Sequence, residues 1–183
     1  MNGSASLKQI PRLAVKPEFV YRLFYPQVPL ILCAKSKGIS SMPVASAVPV
    51  SDNPPKIALA VKKELRTNKI LNDSSTFSLN WIDFKNKDIV TKLSKFRASS
   101  DRDKLRSLKI SYRIVLGAPV LEESVAYLIL RKEKKIDAGD HDLFLGRVLG
   151  SMASLDFDEY WSFRKYSPIL YLGSQKKKQF ATL

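Results

Sequence analysis

The sequence predicts a mainly β domain: a small closed or partly closed barrel interrupted by two or three short helices. Three observations carry that expectation. Short apolar or alternating runs, the marks of strands, dominate the chain. Clusters of Gly, Pro, Asn and Asp punctuate them at close spacing. The regular strand–helix alternation that an open doubly wound sheet requires is missing from the second half.

The first fifteen residues read as a loose arm, because Pro11 and Pro17 break any helix there. Leu30-Ile31-Leu32-Cys33-Ala34 is short, apolar and branched, which fits a buried strand. Residues 35–38 form a polar turn in which Gly38 permits positive φ. Residues 41–50 make a second extended stretch, with Pro43 and Pro49 limiting its ladder bonds. The turn Asp52-Asn53-Pro54-Pro55 leads to a third strand at 56–61.

A helix over 66–71 is expected to start with Thr67 as N-cap. In residues 76–82, Phe77, Leu79 and Trp81 share one face at period two, as in a half-buried strand. Residues 87–96 place Ile89, Leu93 and Phe96 on one side of an amphipathic helix. Ser100 and Asp103 resemble a capping box for a short helix carrying Leu105 and Leu108. Further strands are expected at about 114–116, 125–130, 141–153 and 169–172, with 132–138 as a charged hairpin tip. This divides the chain into an N-terminal arm (1–25), one barrel domain (26–174) and a basic C-terminal tail (175–183).

A chain of 183 residues, 45% of them hydrophobic, can bury a core without covalent staples. The apolar run at 29–34 is far too short to span a bilayer, and residues 1–7 lack an apolar signal core. The lone Cys33 cannot form an internal disulfide, which suits a reducing cytoplasm. With one cysteine and one histidine there is no usual structural zinc site. A Ser-His-Asp triad would rest on His141 without a nucleophile elbow. Net charge is +14, and residues 61–110 hold 13 basic against 6 acidic side chains. Such a surface attracts phosphorylated small molecules, nucleic acid or anionic lipid, or is simply a solvated lysine-rich face.

Ordered segments then resemble the flavin reductase-like, FMN-binding split-barrel family of NAD(P)H:flavin oxidoreductases and flavoredoxins. Pro26-Gln27-Val28-Pro29-Leu30-Ile31-Leu32 is similar to its proline-flanked first strand. The stretch from Val44 through Asn53-Pro54-Pro55 is similar to its flavin-edge loop. Leu65-Arg66-Thr67 with Thr76-Phe77-Ser78-Leu79-Asn80 resembles its Arg/Lys-x-Thr helix start and Phe-x-x-Asn strand. Gly139-Asp140-His141 resembles its Gly-Asp-His strand, and Pro168-Ile169-Leu170-Tyr171-Leu172-Gly173 its last strand.

The resemblance implies a split β-barrel that binds FMN, or FAD in its place. It implies flavin reduction by NAD(P)H, a homodimer, and a partner oxygenase or electron-transfer protein as acceptor. For the site it implies Thr67 and Arg66 at the phosphate, where a helix start offers N–H groups, a hydroxyl and a guanidinium. Ser46, Ala47 and Val48 would line the ring edge with extended backbone. Ser40, Ser41 and Met42 would approach the ring or ribityl chain, with Asn80 near the same pocket. His141 would face the flavin and the incoming nicotinamide, orienting a substrate.

Each assignment has a plainer counterpart. Thr67 is also a suitable N-cap, Asn80 a turn or strand partner, and His141 a hairpin-end residue bonded to Asp140 or Asp142. Trp81 and Trp161 suit core packing better than stacking on a flavin. Cys33 reads as inert core. Three departures from the family pattern stand out. Ser46 takes a position where many members carry tryptophan, and an asparagine expected near Ser40 is missing. The C-terminal residues from Gly173 also lack the usual glycine- and tyrosine-rich ending. They leave room for a flavin-binding electron carrier without nicotinamide turnover. The charge leaves room for a basic nucleic-acid-binding barrel, although no aromatic platform is interleaved with the basic residues.

Overall fold

The computed structural model describes residues 13–96, 103–173 and 179–182. It is built on one antiparallel sheet of seven strands. In chain order these are β1 (Leu30–Lys35), β2 (Ile39–Val44), β3 (Val48–Asp52), β4 (Pro55–Lys62), β5 (Thr76–Ile82), β8 (Ser124–Ala138) and β9 (His141–Ala153). The hairpin of β6 (Tyr112–Val115) and β7 (Ala118–Leu121) precedes β8, and β10 (Leu170–Tyr171) pairs with β11 (Phe180–Ala181). Three helices interrupt the strands: α1 (Arg66–Asp73), α2 (Lys87–Lys95) and α3 (Lys104–Ser107).

The sheet order is β2-β1-β5-β8-β9-β4-β3, so β2 and β3 are its two edges. Only residues 45–47 join them. Four Cα steps reach about 15 Å at most, whereas a flat seven-stranded sheet would hold its edges about 29 Å apart. The sheet must therefore curl until its edges meet, leaving a seam between β2 and β3. Ser46, in the link, bonds to β4 on the β3 side of that seam: its Oγ donates to the Ala60 carbonyl at 2.9 Å and accepts from the Ala60 N–H at 3.3 Å.

The expected extended stretch 41–50 is thus two strands at opposite edges. Both halves look extended in the sequence, and the break between them is a long-range effect. β1 is covered on both sides. Leu30, Leu32 and Ala34 join Leu59, Phe77, Leu79, Leu130 and Phe144 inside the barrel. Ile31 and Cys33 pack outward against Val90, Leu93 and Leu105 of α2 and α3. β5 is covered on both faces as well, with Ser78 and Asn80 as inaccessible as Phe77 and Leu79, so it is not half-buried as its alternation suggested.

Gly146 lies where β9 crosses Phe77. A Cβ there would stand 2.7 Å from Phe77 Cζ and 3.0 Å from Leu130 Cβ, so the packed ring requires a glycine.

Other differences are local. The N-cap of α1 is Leu65, without a side-chain bond, and Thr67 lies inside the first turn. Asp103 itself caps α3, accepting from the Leu105 and Arg106 N–H groups; Ser100 lies outside the described residues. Residues 132–138 are not a hairpin tip but the outer half of β8, paired with β9 up to Ala138–His141. Gly38 is absent from the residues with positive φ, whereas Gly139 takes φ +79 in the true β8–β9 turn. Residues Pro17–Phe24 form a 3-10 helix with Pro17 in its first turn, where the missing N–H costs nothing. β7 was not foreseen, although all four of its residues are buried. No helix among the described residues is long and apolar enough to cross a membrane.

Candidate functional site

A cleft of about 1410 Å³ runs along the seam beside β2. Its walls bring together the end of β4, the start of α1, the start of β9 and the chain around Tyr21 to Tyr25. Ser40 and Met42 enter it from β2, Ser46 from the link, Arg66 and Thr67 from α1, and His141 from β9. Six residues singled out in the sequence thus share one cavity, although 101 positions separate the first from the last.

The centre of the site is polar and buried. Ser40 Oγ lies 2.9 Å from Thr67 Oγ1, and both residues are buried. Each hydroxyl can donate and accept, so the pair can turn one O–H outward while remaining bonded. The first N–H groups of a helix have no acceptor within it. No side chain caps α1 and no acidic side chain occupies its first turn. The positive end of its dipole therefore has no carboxylate within the first turn, and Glu64, just before the N-cap, is paired with Lys62. Asn68 fixes the helix against β4, donating from Nδ2 to the Val61 carbonyl at 3.0 Å. At its other end, Lys132 Nζ donates to the carbonyls of Leu71, at 3.0 Å, and Asn72. This lysine serves as a C-terminal cap supplied by β8.

At the mouth, His141 Nδ1 lies 2.7 Å from Asp140 Oδ1. The carboxylate only accepts, so Nδ1 carries the hydrogen. That bond holds the Asp140 carboxyl below the usual carboxylate range. Nearby, Lys62 pairs with Glu64 at 2.9 Å, which raises its pKa. One lining residue escaped the sequence reading. Lys104 is buried, and its Nζ donates to the Leu93 carbonyl at 2.6 Å. Desolvation pushes its pKa down to about 8. Its neighbours in sequence read only as a short helix, and the contact with α2 spans eleven residues, so no local signal marks it.

Four other sequence-selected residues lie outside the cleft lining. Ser41 points through the sheet, its Oγ 3.3 Å from Cys33 Sγ. Asn80 is wholly buried and its amide is fully used. It donates to the Ile31 carbonyl and to Ser78 Oγ, both at 2.9 Å, and accepts from the Leu121 N–H at 3.1 Å and Ser124 Oγ at 3.4 Å. Ala47 packs against the barrel core, and Val48 is exposed opposite Ala58 on β4. Burial pushes the Cys33 thiol up to about 12, which leaves it unreactive. Trp81 packs on the barrel core, and Trp161 meets Phe157 and Tyr166. Among the described residues, no group of three or more His, Cys, Asp or Glu is placed to hold a metal ion.

Comparison with known proteins bears on this site. Residues 21–175 match the model of the flavin reductase like domain. An uncharacterized protein of Aeropyrum pernix is 33% identical over 164 residues, which is 87% of this chain; the match spans 62% of that relative's length. The fold is similar to nitrilotriacetate monooxygenase component B from Bacillus cereus, with a TM-score of 0.83 and 16% identity over 96% of this chain and 97% of that one. It is also similar to an FMN-binding protein from Thermus thermophilus solved with bound 1-cyclohex-2-enone, with a TM-score of 0.77 and 24% identity over 95% and 96% of the two chains. At these identities the likeness to the two structures is one of fold.

Proposed function

The chain belongs to the flavin reductase-like family, and on that premise we propose that it binds FMN in the seam cleft and uses NAD(P)H to reduce flavin. The observation that carries the reading is the buried Ser40–Thr67 pair at an uncapped helix start, beside Arg66 and the open seam. The residues present fit a phosphorylated, flat ligand. Hydroxyls, helix N–H groups and a guanidinium suit a phosphate, and the extended backbone at Ser46 with the Met42 side chain suits a ring edge and face. When bound, the flavin would supply the two-electron chemistry, accepting hydride from the nicotinamide.

The chain's own residues bind and orient. Thr67 and Ser40 hold the phosphate end, and Arg66 balances its charge. The Ser46 hydroxyl is occupied by Ala60, so its backbone is the part offered to the ring. His141, steadied by Asp140, guides the nicotinamide nucleotide at the mouth. Ser41 and Asn80 support β2 and β1 from behind. FAD in place of FMN, with its longer tail, fits the same berth.

A homodimer in the cytoplasm goes with this reading. Leu23 and Phe24, each 68% exposed, project from a 3-10 helix that buries none of its residues, and Val48 and Val50 lie open on edge strand β3. A second copy would cover them. An oxygenase or electron-transfer protein would then take the reducing equivalents.

The test is direct. Purified protein with FMN should oxidise NADH or NADPH faster than a protein-free control, and His141→Ala should raise KM for the nucleotide more than it lowers kcat. No oxidation of either nucleotide at saturating flavin overturns the reductase reading. A flavin-binding protein inert to both nucleotides would instead be the electron carrier.

A further inference from the structure

A second depression, about 700 Å³, lies between the β1–β2 turn, α3 and the start of β6. Its floor is apolar, with Ile39 and Ile110 buried. Its rim carries three cations, Lys35, Arg106 and Lys109, and one carboxylate, Glu122. Arg106 is paired with Asp103 at 3.5 Å, but Lys35 and Lys109 make no ion pair with any described residue. Some other lysines of the barrel are paired, as in Lys56–Glu133 and Lys63–Asp137. Residues 84–110, from which α2 and α3 arise, hold 9 basic against 3 acidic side chains.

The groove adjoins the cleft. Ile39 in its floor and Ser40 in the cleft are consecutive on β2, and α3 sends Arg106 to one and Lys104 to the other. Successive residues of a strand point to opposite faces, so the groove lies on the outer side of edge strand β2 and the cleft on its barrel side.

We propose that this groove is the docking surface for a small acidic electron-transfer protein. The redox character of the partner rests on the flavin reading; the docking does not. An apolar floor within a charged rim is the anatomy of a protein interface. The one aromatic ring in the groove, Tyr112, spends its hydroxyl on Asp103 at 2.7 Å and offers no stacking platform to bases. The apolar face of the neighbouring α2 is already turned inward through Val90 and Leu93, so no amphipathic helix is presented to a lipid surface. Unmatched cations on the rim would steer carboxylate-rich surfaces toward the groove.

The experiment titrates the FMN-supplemented protein with a small acidic iron–sulfur ferredoxin by calorimetry, at low and at high salt. Association is expected at low ionic strength, weakening about tenfold or more when the Debye length falls below ~6 Å. The double reversal Lys35→Glu with Lys109→Glu should weaken it by a further factor of about ten and leave FMN affinity unchanged. Absence of association, or association indifferent to the reversal, overturns the proposal. So does a single-stranded oligonucleotide or a phosphatidylserine vesicle that loses binding in the variant while ferredoxin does not. A protein that binds ferredoxin in this way but never binds FMN would refute the flavin reading and leave the docking surface standing.

Discussion

Ser40 and Thr67 meet through their hydroxyls at 2.9 Å, joining edge strand β2 to the first turn of α1 across 27 residues. The bond is buried and lies where an anion would meet the helix start. Thr67→Val keeps the shape and removes the hydroxyl. A hydrogen bond to a charged group is worth about 1.5–3 kcal/mol, so FMN affinity should fall about tenfold or more. Quenching of flavin fluorescence measures it, and an unchanged Kd would remove Thr67 from the berth.

Gly146 is held to glycine by the Phe77 ring. Gly146→Ala forces a fully buried aromatic side chain to move, and overpacking of this kind costs about 1–3 kcal/mol. Thermal unfolding should show a clearly lower Tm. Gly139→Ala should meet no clash, since nothing lies within 4 Å, and should carry only the strain of positive φ.

Lys132 spans 61 residues to reach the Leu71 carbonyl. Lys132→Met keeps the aliphatic stem but leaves the end of α1 without its cap. A loss of about 1–2 kcal/mol in urea unfolding is expected. Restoring a donor with Lys132→Arg should recover part of it.

Lys104 gives a pH signature. Its folded pKa is depressed to about 8 from 10.5, so between those values the unfolded chain binds more protons than the folded one. Stability from this group therefore rises with pH across that window, and its cost is fully present below about 8. Cys33 acts in the opposite sense. Its thiol stays protonated in the fold up to about 12 against an ordinary 9.0, which removes stability as pH climbs above 9.0. Comparing the protein with Lys104→Met removes most of the cysteine contribution, apart from the part that the Lys104 charge itself exerts on the thiol. The difference in unfolding free energy should favour the native lysine increasingly from pH 8 to 10.5. A flat difference would mean that the buried ammonium is not titrating in this range.

Much of the barrel was legible because its strands carry local signals. The strand at 141–153 has the same bounds in sequence and structure, and the apolar run 30–34 is β1 short of one residue. α2 was found through the spacing of Ile89, Leu93 and Phe96, although the structure buries Val90 and Leu93 and makes Phe96 the C-cap. What stayed hidden depends on partners far along the chain. Nothing near residue 45 shows that one extended run feeds two opposite sheet edges. Thr67 looked like a cap because capping chemistry is local, yet its hydroxyl bonds to a serine on another strand. Lys104 and Lys132 read as ordinary surface cations until the fold brings helix ends to them. Asn80 was singled out by motif, but its side-chain hydrogen bonds tie β1, β5 and the β7–β8 turn together.

The three-residue tether between Val44 and Val48 has a bearing on how such a protein can diversify. It acts as a hoop around the barrel: its length sets how far apart the two free strand borders stand, and so how wide a guest the opening admits. Lengthening or shortening it at Ala45 or Ser46 would retune that aperture with little change to the buried apolar side chains. Ala47 is different, because it packs against the core.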